Sequence, residues 1–511
     1  MGYKMDTRPG PRITAVAGIL SALLFFQLAA GGAYAAENYA QRLDRAETLL
    51  KRQEGAAALA LFKTLIAERP TFSACLGAAR ASAVADEPES ALRYYRHALD
   101  IAGDNAMERR LSLFGIARML MWLERYQEAE KTYEELLSHP LSKEDHAVAA
   151  AGQVRSLAFQ DKPMRAYRIA SAGSEPSSSE RVELARSALW AGWPDKAEEM
   201  LRPEIVLEPD TRMARELEAL RSDVHAQMAN PVELHGEYIS DSDDLRIRKS
   251  ELAARMKISA IADLGLAVQN QGFEQHDQHL AMNSLQARYS SRPADTFWLS
   301  FQAGPAKYGE WRTALWSGSM VYHPNDETRY ELFISREAVE TFLALNDHIT
   351  LDTAVMTAAY TPVSKILLSA SLYRQSFSDD NDRLGGTVKF AVPVSRRVGL
   401  DVQLRARYFE DSRTDTIGYF NPVRFHEENL LLAFDKRLGS DWRFSALAGP
   451  GIQNTSPGDG STNTLLAEAS LRGRIVNGLS LSLDYGYSNS AVASSSGYRR
   501  NYAGITLSYQ W

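Results

Sequence analysis

Charged side chains at alternate positions are the residues of this 511-residue chain whose types and spacing best suit a chemical role. Between residues 400 and 408 the even positions are apolar or small, whereas Asp401, Arg405 and Arg407 occupy odd positions. Alternate side chains of a β-strand point to opposite faces, so such a strand has one apolar face and one charged face. Charges inside a water-filled barrel select which solutes pass, and some neutralise one another across the wall. The alternation predicts ten inward-pointing, pore-lining residues: Glu251, Arg255, Lys257, Arg288, Asp401, Arg405, Arg407, Glu468, Arg472 and Asp484.

No catalytic constellation accompanies these charges. The sequence has no G-x-S-x-G, H-E-x-x-H, Walker A or C-x-x-C motif, so the residue sets of the common hydrolases, metalloproteases and nucleotide-dependent enzymes are missing. His276 and His279 flank Asp277, but two histidines without a third ligand favour a solvated turn over a metal site. We therefore predict a protein that is not an enzyme and has no metal site and no cofactor.

The elements that must position the charges are short alternating segments that begin after residue 230. Sixteen segments of roughly ten residues can be marked, the first at 232–240 and the last at 498–511, which is the pattern of a membrane β-barrel. Most turns after even-numbered segments are short, and most of those after odd-numbered segments are longer and more polar. A soluble β-sandwich is the alternative interpretation, but it does not need charged residues on the second face throughout. The sequence therefore favours a transmembrane barrel over residues 230–511.

The last segment predicts how the barrel closes. Counting back from Trp511, the residues Tyr509, Leu507 and Ile505 alternate with small or polar ones. Such a strand should pair with the first segment, because a membrane does not tolerate an open sheet edge. An aromatic last residue after alternating apolar positions also resembles the assembly signal of bacterial outer-membrane proteins. Tyr509 and Trp511 are the predicted signal residues, and the last strand of a soluble sheet is the alternative.

The first half of the chain has a helical pattern and an internal repeat. Alanines at 58, 91, 129, 166 and 197 lie 33, 38, 37 and 31 residues apart. Phe62, Tyr95 and Tyr133 each follow an alanine by four residues, and a proline or glycine ends each of these three units. This spacing is similar to that of tetratricopeptide repeats (TPRs), whose unit is ~34 residues. The pattern predicts a TPR-like α-solenoid over residues 36–229, and a solenoid of this kind is usually a binding surface.

The N-terminus predicts export. Arg8 and Arg12 precede an apolar run at 13–30, and the small residues Ala33 and Ala35 follow it. A basic start, an apolar middle and small residues form a secretory signal peptide, here predicted as residues 1–35. An uncleaved membrane anchor is the alternative. The mature chain is therefore expected outside the cytoplasm.

Composition excludes several partners. Lys and Arg number 57 and Asp and Glu 64, for a net charge of −7, and neither half of the chain is basic, so nucleic acid is not an expected partner. The single cysteine, Cys75, excludes a disulfide framework within the chain. The fold class predicted from these patterns is α + β multidomain: an N-terminal TPR-like α-solenoid followed by an antiparallel transmembrane β-barrel of about sixteen strands.

The combination of signal peptide, TPR-like repeats and C-terminal barrel resembles the outer-membrane exopolysaccharide export porins, closest to the poly-β-1,6-N-acetyl-D-glucosamine export porin family. The resemblance rests on architecture and spacing over the mature chain. It implies a barrel in the bacterial outer membrane, a helical domain in the periplasm, and an exopolysaccharide, periplasmic proteins and outer-membrane lipid as partners. The alternatives are a surface receptor or adsorption protein and a general solute porin with a periplasmic TPR scaffold.

Overall fold

The computed structural model describes residues 38–172, 176–202, 205, 212–362, 366–395, 398–414, 416, 418–439, 441–457, 460–491 and 499–511. The predicted signal peptide lies outside these described residues. Contacts divide the chain into two compact units, Met1–Ser142 and Lys143–Trp511. The second unit contains both helices and the complete barrel.

The described residues of the first unit form six helices: α1 Tyr39–Lys51, α2 Gly55–Glu68, α3 Phe72–Val84, α4 Pro88–Ala102, α5 Ala106–Trp122 and α6 Tyr126–Leu137. The repeat residues explain their packing. Phe62 is fully buried, and a Cβ built on Gly77 would lie 2.3 Å from its ring. Tyr95 lies over Gly115 in the same way, at 2.2 Å. In these two units the aromatic ring thus fills the space that a glycine leaves on the next helix, which is the close packing that the TPR-like spacing predicts.

The second unit begins with five helices among its described residues: α7 Lys143–Ala158, α8 Pro163–Ser171, α9 Ser178–Trp190, α10 Pro194–Leu201 and α11 Arg212–Met228. A buried ion network ties three of them together. Glu183 on α9 is 1% exposed and lies 3.3 Å from Arg155 on α7. Arg155 and Arg186 both reach Glu216 on α11, at 3.0 and 2.9 Å. Burial raises the pKa of Glu183, an effect that the two arginines oppose.

Sixteen antiparallel strands follow and form one closed barrel in which every strand pairs with its chain neighbours. The strands are β1 Pro231–Asp241, β2 Arg246–Ser259, β3 Ala262–Gln275, β4 Gln278–Ala294, β5 Phe297–Tyr308, β6 Trp311–Tyr322, β7 Thr328–Ala338, β8 Thr350–Tyr360, β9 Leu367–Phe377, β10 Asp382–Ser395, β11 Leu400–Asp411, β12 Arg424–Leu438, β13 Trp442–Ser456, β14 Ser461–Val476, β15 Leu479–Ser488 and β16 Arg500–Gln510. One short helix, α12 Phe342–Asn346, lies between β7 and β8. The predicted fold class is confirmed, including the number of strands.

The ring closes between the first and last strands. β1 and β16 pair along their whole lengths, with Leu234 opposite Leu507. Backbone hydrogen bonds of 3.2 Å in both directions between Asn230 and Trp511 extend the pairing beyond the strands. The closure predicted from the C-terminal alternation is therefore present, and no strand edge stays open.

The two faces of the barrel wall differ as the alternation predicts. On β2, Leu252 and Met256 are more than half exposed, whereas Ile247 on the other face is 1% exposed. Exposed apolar side chains of this kind occur on all sixteen strands and cover the outside of the ring. On β13 they occur only in the second half of the strand. An apolar exterior around a closed ring is what a lipid bilayer requires. The barrel therefore supports an outer-membrane location.

The connections reveal the barrel's two rims. The rim that carries the start of β1 and the end of β16, here called the chain-end rim, also carries the connections that follow even-numbered strands. The three longest connections, those that follow β7, β11 and β15, all leave from the opposite rim. Within the described residues, no helix is both long enough and apolar enough to cross a bilayer.

Candidate functional site in the barrel interior

All ten residues predicted to line the pore lie on the face opposite the exposed apolar side chains. On β11, Leu404 and Tyr408 are among the exposed apolar residues, so Asp401, Arg405 and Arg407 point to the interior. On β15, Leu483 and Tyr485 are exposed on the outside, which turns Asp484 inward. The same alternation places the other six on the interior face of β2, β4 and β14.

Ion pairs compensate most charges on the wall formed by β1 to β4. Arg288 lies 2.8 Å from Glu251, and Lys257 lies 3.1 Å from Asp263. Arg255 is 3.5 Å from Glu233 on β1. Two of these pairs join neighbouring strands, and the pair of Arg288 with Glu251 reaches across β3 from β4 to β2. All three stabilise the wall and also cancel much of its local field.

The predicted pore-lining charges on the wall formed by β11 to β15 are paired more loosely. Arg405 donates to Asn429 at 2.8 and 3.0 Å, while Arg407 lies 3.8 Å from Glu427. Arg472 is 3.7 Å from Asp484 and remains largely exposed. For Asp401 and Glu468, the described residues include no carboxylate–cation pair within 4.0 Å. This wall therefore presents the more accessible charges of the interior.

The connection between β7 and β8 folds into the barrel. Its ends are joined by a backbone hydrogen bond of 3.1 Å from Val339 to Ile349. Glu340 lies 2.8 Å from Lys249, on the inner face of β2. β2 is five strands from β7 in the ring, so this contact is made through the interior. We call residues 339–349 the inner loop.

Apolar contacts hold the inner loop in place. Phe342 and Leu345 of α12 are buried in one cluster with Phe273, Met282 and Tyr308 from the inner faces of β3, β4 and β5. These five side chains are each no more than 5% exposed. Burial of several large side chains stabilises the loop by roughly 1.5–3 kcal/mol per side chain. The inner loop therefore narrows the interior as part of the folded structure.

A second connection, at 412–423, supports the inner loop. The hydroxyl of Thr341 donates to the carbonyl oxygen of Gly418. The Tyr419 ring stacks on Phe377, with 4.2 Å between ring centroids, and its hydroxyl donates to Asp379 at 2.9 Å. Sequence analysis did not find this arrangement, although the apolar run Phe342-Leu-Ala-Leu345 in a connection expected to be polar was a usable signal.

Helices of the second unit contact the chain-end rim through hydrogen bonds and salt bridges. The indole nitrogen of Trp193 donates to the carbonyl oxygen of Asp295, in the turn between β4 and β5, at 2.7 Å. Lys196 forms a salt bridge with the Asp295 carboxylate. Arg292, only 7% exposed, pairs with Asp195 on α10. Removal of either partner would leave the other charge without compensation in a buried position, so the pair opposes separation of α10 from the rim.

Asp326 makes a further joint at this rim. It lies in the turn between β6 and β7, and its two carboxylate oxygens accept from the backbone N–H groups of Met164 and Arg165, each at 2.8 Å. A barrel turn thus satisfies the free N–H groups at the start of α8, which Pro163 opens. Burial raises the pKa of Asp326, and the two backbone hydrogen bonds oppose this shift.

Comparisons with known proteins add little beyond the fold. No known family model matches the sequence, and no curated protein matches it. Among solved structures, the chain is similar to a bacterial polysaccharide outer membrane secretin, at 12% identity over 56% of this chain and 99% of that one, with a TM-score of 0.48. It is similar to OccK5 of Pseudomonas aeruginosa at 9% identity over 55% and 98%, with a TM-score of 0.33. The TPR protein YrrB is 19% identical over 36% and 94%, with a TM-score of 0.29. At such values the similarities carry no functional conclusion.

Proposed function

We propose that the protein is an outer-membrane porin that exports an exopolysaccharide, a polymer similar to poly-N-acetylglucosamine, while its TPR-like helices bind the nascent polymer or periplasmic partner proteins. The observation that carries the proposal is the joint at the chain-end rim, where Trp193, Arg292 and Asp326 hold helices α8 to α10 against the barrel. A binding module fixed to a channel mouth can deliver a long chain directly to the pore.

The proposed orientation places the chain-end rim in the periplasm and the three longest connections outside the cell. This arrangement is usual for outer-membrane barrels, whose periplasmic turns are short. It also keeps the helices on the side from which a secreted polymer arrives. Export of the polymer through the barrel requires no catalytic residue in this chain.

The interior suits a chain rich in hydroxyl groups. Conduction requires binding that is favourable but weak at each position. Paired charges such as Arg288 and Glu251 offer hydrogen bonds without a strong net field. The inner loop keeps the resting channel narrow, which limits leakage of small solutes.

A general solute porin is the second candidate, and the inner loop is the observation that favours it. A fixed constriction suits the sieving of small molecules better than the passage of a polymer. An exporter moves a polymer outward, whereas a solute porin lets small molecules enter. A single deletion strain therefore distinguishes the two functions.

The test is deletion of the gene followed by complementation with the full chain. Export predicts that the deletion strain loses surface polymer, retains it in the periplasm, and recovers secretion on complementation. A solute porin predicts normal surface polymer and slower uptake of small hydrophilic solutes. Unchanged polymer secretion in the deletion strain would sink the export proposal.

A further inference from the structure

A cleft of about 660 Å³ lies at the chain-end rim, between the helices of the second unit and the barrel wall. Two tryptophans line it: Trp190 at the end of α9 and Trp298 at the start of β5. Its volume falls within the ~300–1,000 Å³ typical of small-ligand sites. Val321 and Arg329, on the inner faces of β6 and β7, complete its barrel side. The cleft thus lies beside the entrance to the interior.

The indole of Trp190 is exposed to solvent, but one of its edges packs against another aromatic ring. It is 47% exposed, yet its ring packs edge-to-face on Phe159 with 5.2 Å between centroids. Trp193, three residues later, is 2% exposed and lies in the helical core. The exposed part of the Trp190 ring lines the cleft, where a ligand can contact it. Trp190 is therefore a fixed aromatic surface on the helical side of the cleft.

Trp298 provides the second aromatic surface. Its side chain is partly buried against the helical core, and its ring lies 6.3 Å from that of His323. Because Trp298 shares a strand face with residues that point inward, it extends the cleft toward the barrel lumen. Two aromatic rings that line one cleft suit ligands with apolar faces.

The charges around the cleft already have partners. Both carboxylate oxygens of Asp326 accept backbone hydrogen bonds, and Arg329 lies 2.9 Å from Glu331. A charged ligand would gain little from groups that are neutralised in this way. Polar atoms at the edge can still form hydrogen bonds with hydroxyl or amide groups. The cleft therefore favours a neutral ligand with apolar faces and polar edges.

We propose that the cleft binds a neutral hexopyranose unit of the polymer, with the C–H faces of the sugar rings against Trp190 and Trp298. The choice of ligand rests on the proposed export function. The site would hold the leading sugars of the chain at the mouth, between the helices and the lumen.

The probe is the β-1,6-linked hexasaccharide of N-acetylglucosamine, measured by isothermal titration calorimetry on the purified full chain. A detergent without a sugar headgroup is essential, because maltoside or glucoside headgroups would compete. Trp190→Ala and Trp298→Ala are each expected to weaken binding about five- to tenfold, and Trp190→Phe to restore part of it. The matched control is Trp122→Ala, since Trp122 on α5 is also exposed, at 48%, and does not line the cleft.

Each outcome decides one proposal. Wild-type protein that does not bind the hexasaccharide, or that binds only its deacetylated, cationic form, overturns the assignment of a neutral sugar site. Equal weakening by Trp122→Ala, or none by either cleft variant, overturns the location. Retained heat-modifiable gel migration excludes misfolding of the barrel in each variant. Binding that depends on the cleft, together with normal polymer secretion in the deletion strain, would refute export and leave the sugar site intact.

Discussion

Glu340 of the inner loop lies 2.8 Å from Lys249 on β2, and this pair joins the two sides of the barrel interior. Lys249 is also 3.7 Å from Glu237 on β1. The side chains of Lys249 and Glu340 are only 17% and 32% exposed. Salt screens such a partly buried pair less than it screens an exposed pair. The position of the inner loop therefore depends on charge as well as on apolar burial.

Release of the inner loop should widen the channel. Glu340→Gln removes the ion pair with Lys249, and Leu345→Asp additionally puts a charge into the apolar cluster, so the double variant should detach the loop. We expect a larger single-channel conductance in planar bilayers, with the double variant above the single one. Arg248→Gln is the matched control, because it breaks an ion pair between β2 and β3 on the outer face, with Glu274 at 3.2 Å, and touches neither the loop nor the lumen. Conductance identical to wild type in the double variant would show that the loop does not restrict the pore.

Removal of the C-terminal aromatic residues should reduce assembly rather than transport. Trp511 extends the pairing between β16 and β1 through two hydrogen bonds with Asn230, and Tyr509 lies opposite Val232. We expect that deletion of Trp511, or Tyr509→Ala, lowers the amount of protein in the outer membrane fraction. Tyr485→Ala is the control, since Tyr485 is exposed to a similar extent, 51% against 53% for Tyr509. Normal outer-membrane levels of the Trp511 deletion would contradict the assignment of the signal.

The joint between Asp326 and α8 should depend on pH in a defined direction. The pKa of Asp326 is raised in the folded protein, so the folded state binds its proton more tightly than the unfolded state does. Its contribution to stability is therefore full below the usual pKa of an aspartate, ~4, and is lost as pH rises through the raised value. We expect the unfolding free energy of wild type, measured with denaturant at a series of pH values, to fall over that window. Asp326→Asn should remove this slope, and an identical slope in the variant would refute the assignment.

The close approach of Phe62 and Gly77 should be intolerant of added volume. Gly77→Ala places a Cβ about where the Phe62 ring lies, so overpacking should cost roughly 1–3 kcal/mol of unfolding free energy. Phe62→Leu in the same chain provides room and should recover part of the loss. Circular dichroism at 222 nm during denaturant unfolding measures both. Additive destabilisation in the double variant would mean that the two residues do not share one packing site.

Sequence periodicity determined the architecture because each pattern reports a local environment. Alternation along β11 placed Asp401, Arg405 and Arg407 on one face without knowledge of their neighbours. The alternation of the last strand predicted its pairing with the first, since an open edge cannot stay in a bilayer. Alanine and aromatic spacing predicted the buried positions of Phe62 and Tyr95. These features depend on one residue and its immediate chain context.

Only the tertiary structure decided which residues meet across the closed ring. The contact of Glu340 with Lys249 joins residues 91 positions apart, and that of Asp326 with Met164 joins residues 162 positions apart. Neither contact has a periodic signature, because each depends on the curvature of sixteen strands and on the direction in which a connection leaves its rim. The cleft between Trp190 and Trp298 has the same origin. Local pattern set the faces of the strands and helices, and the closure of the ring brought particular side chains together.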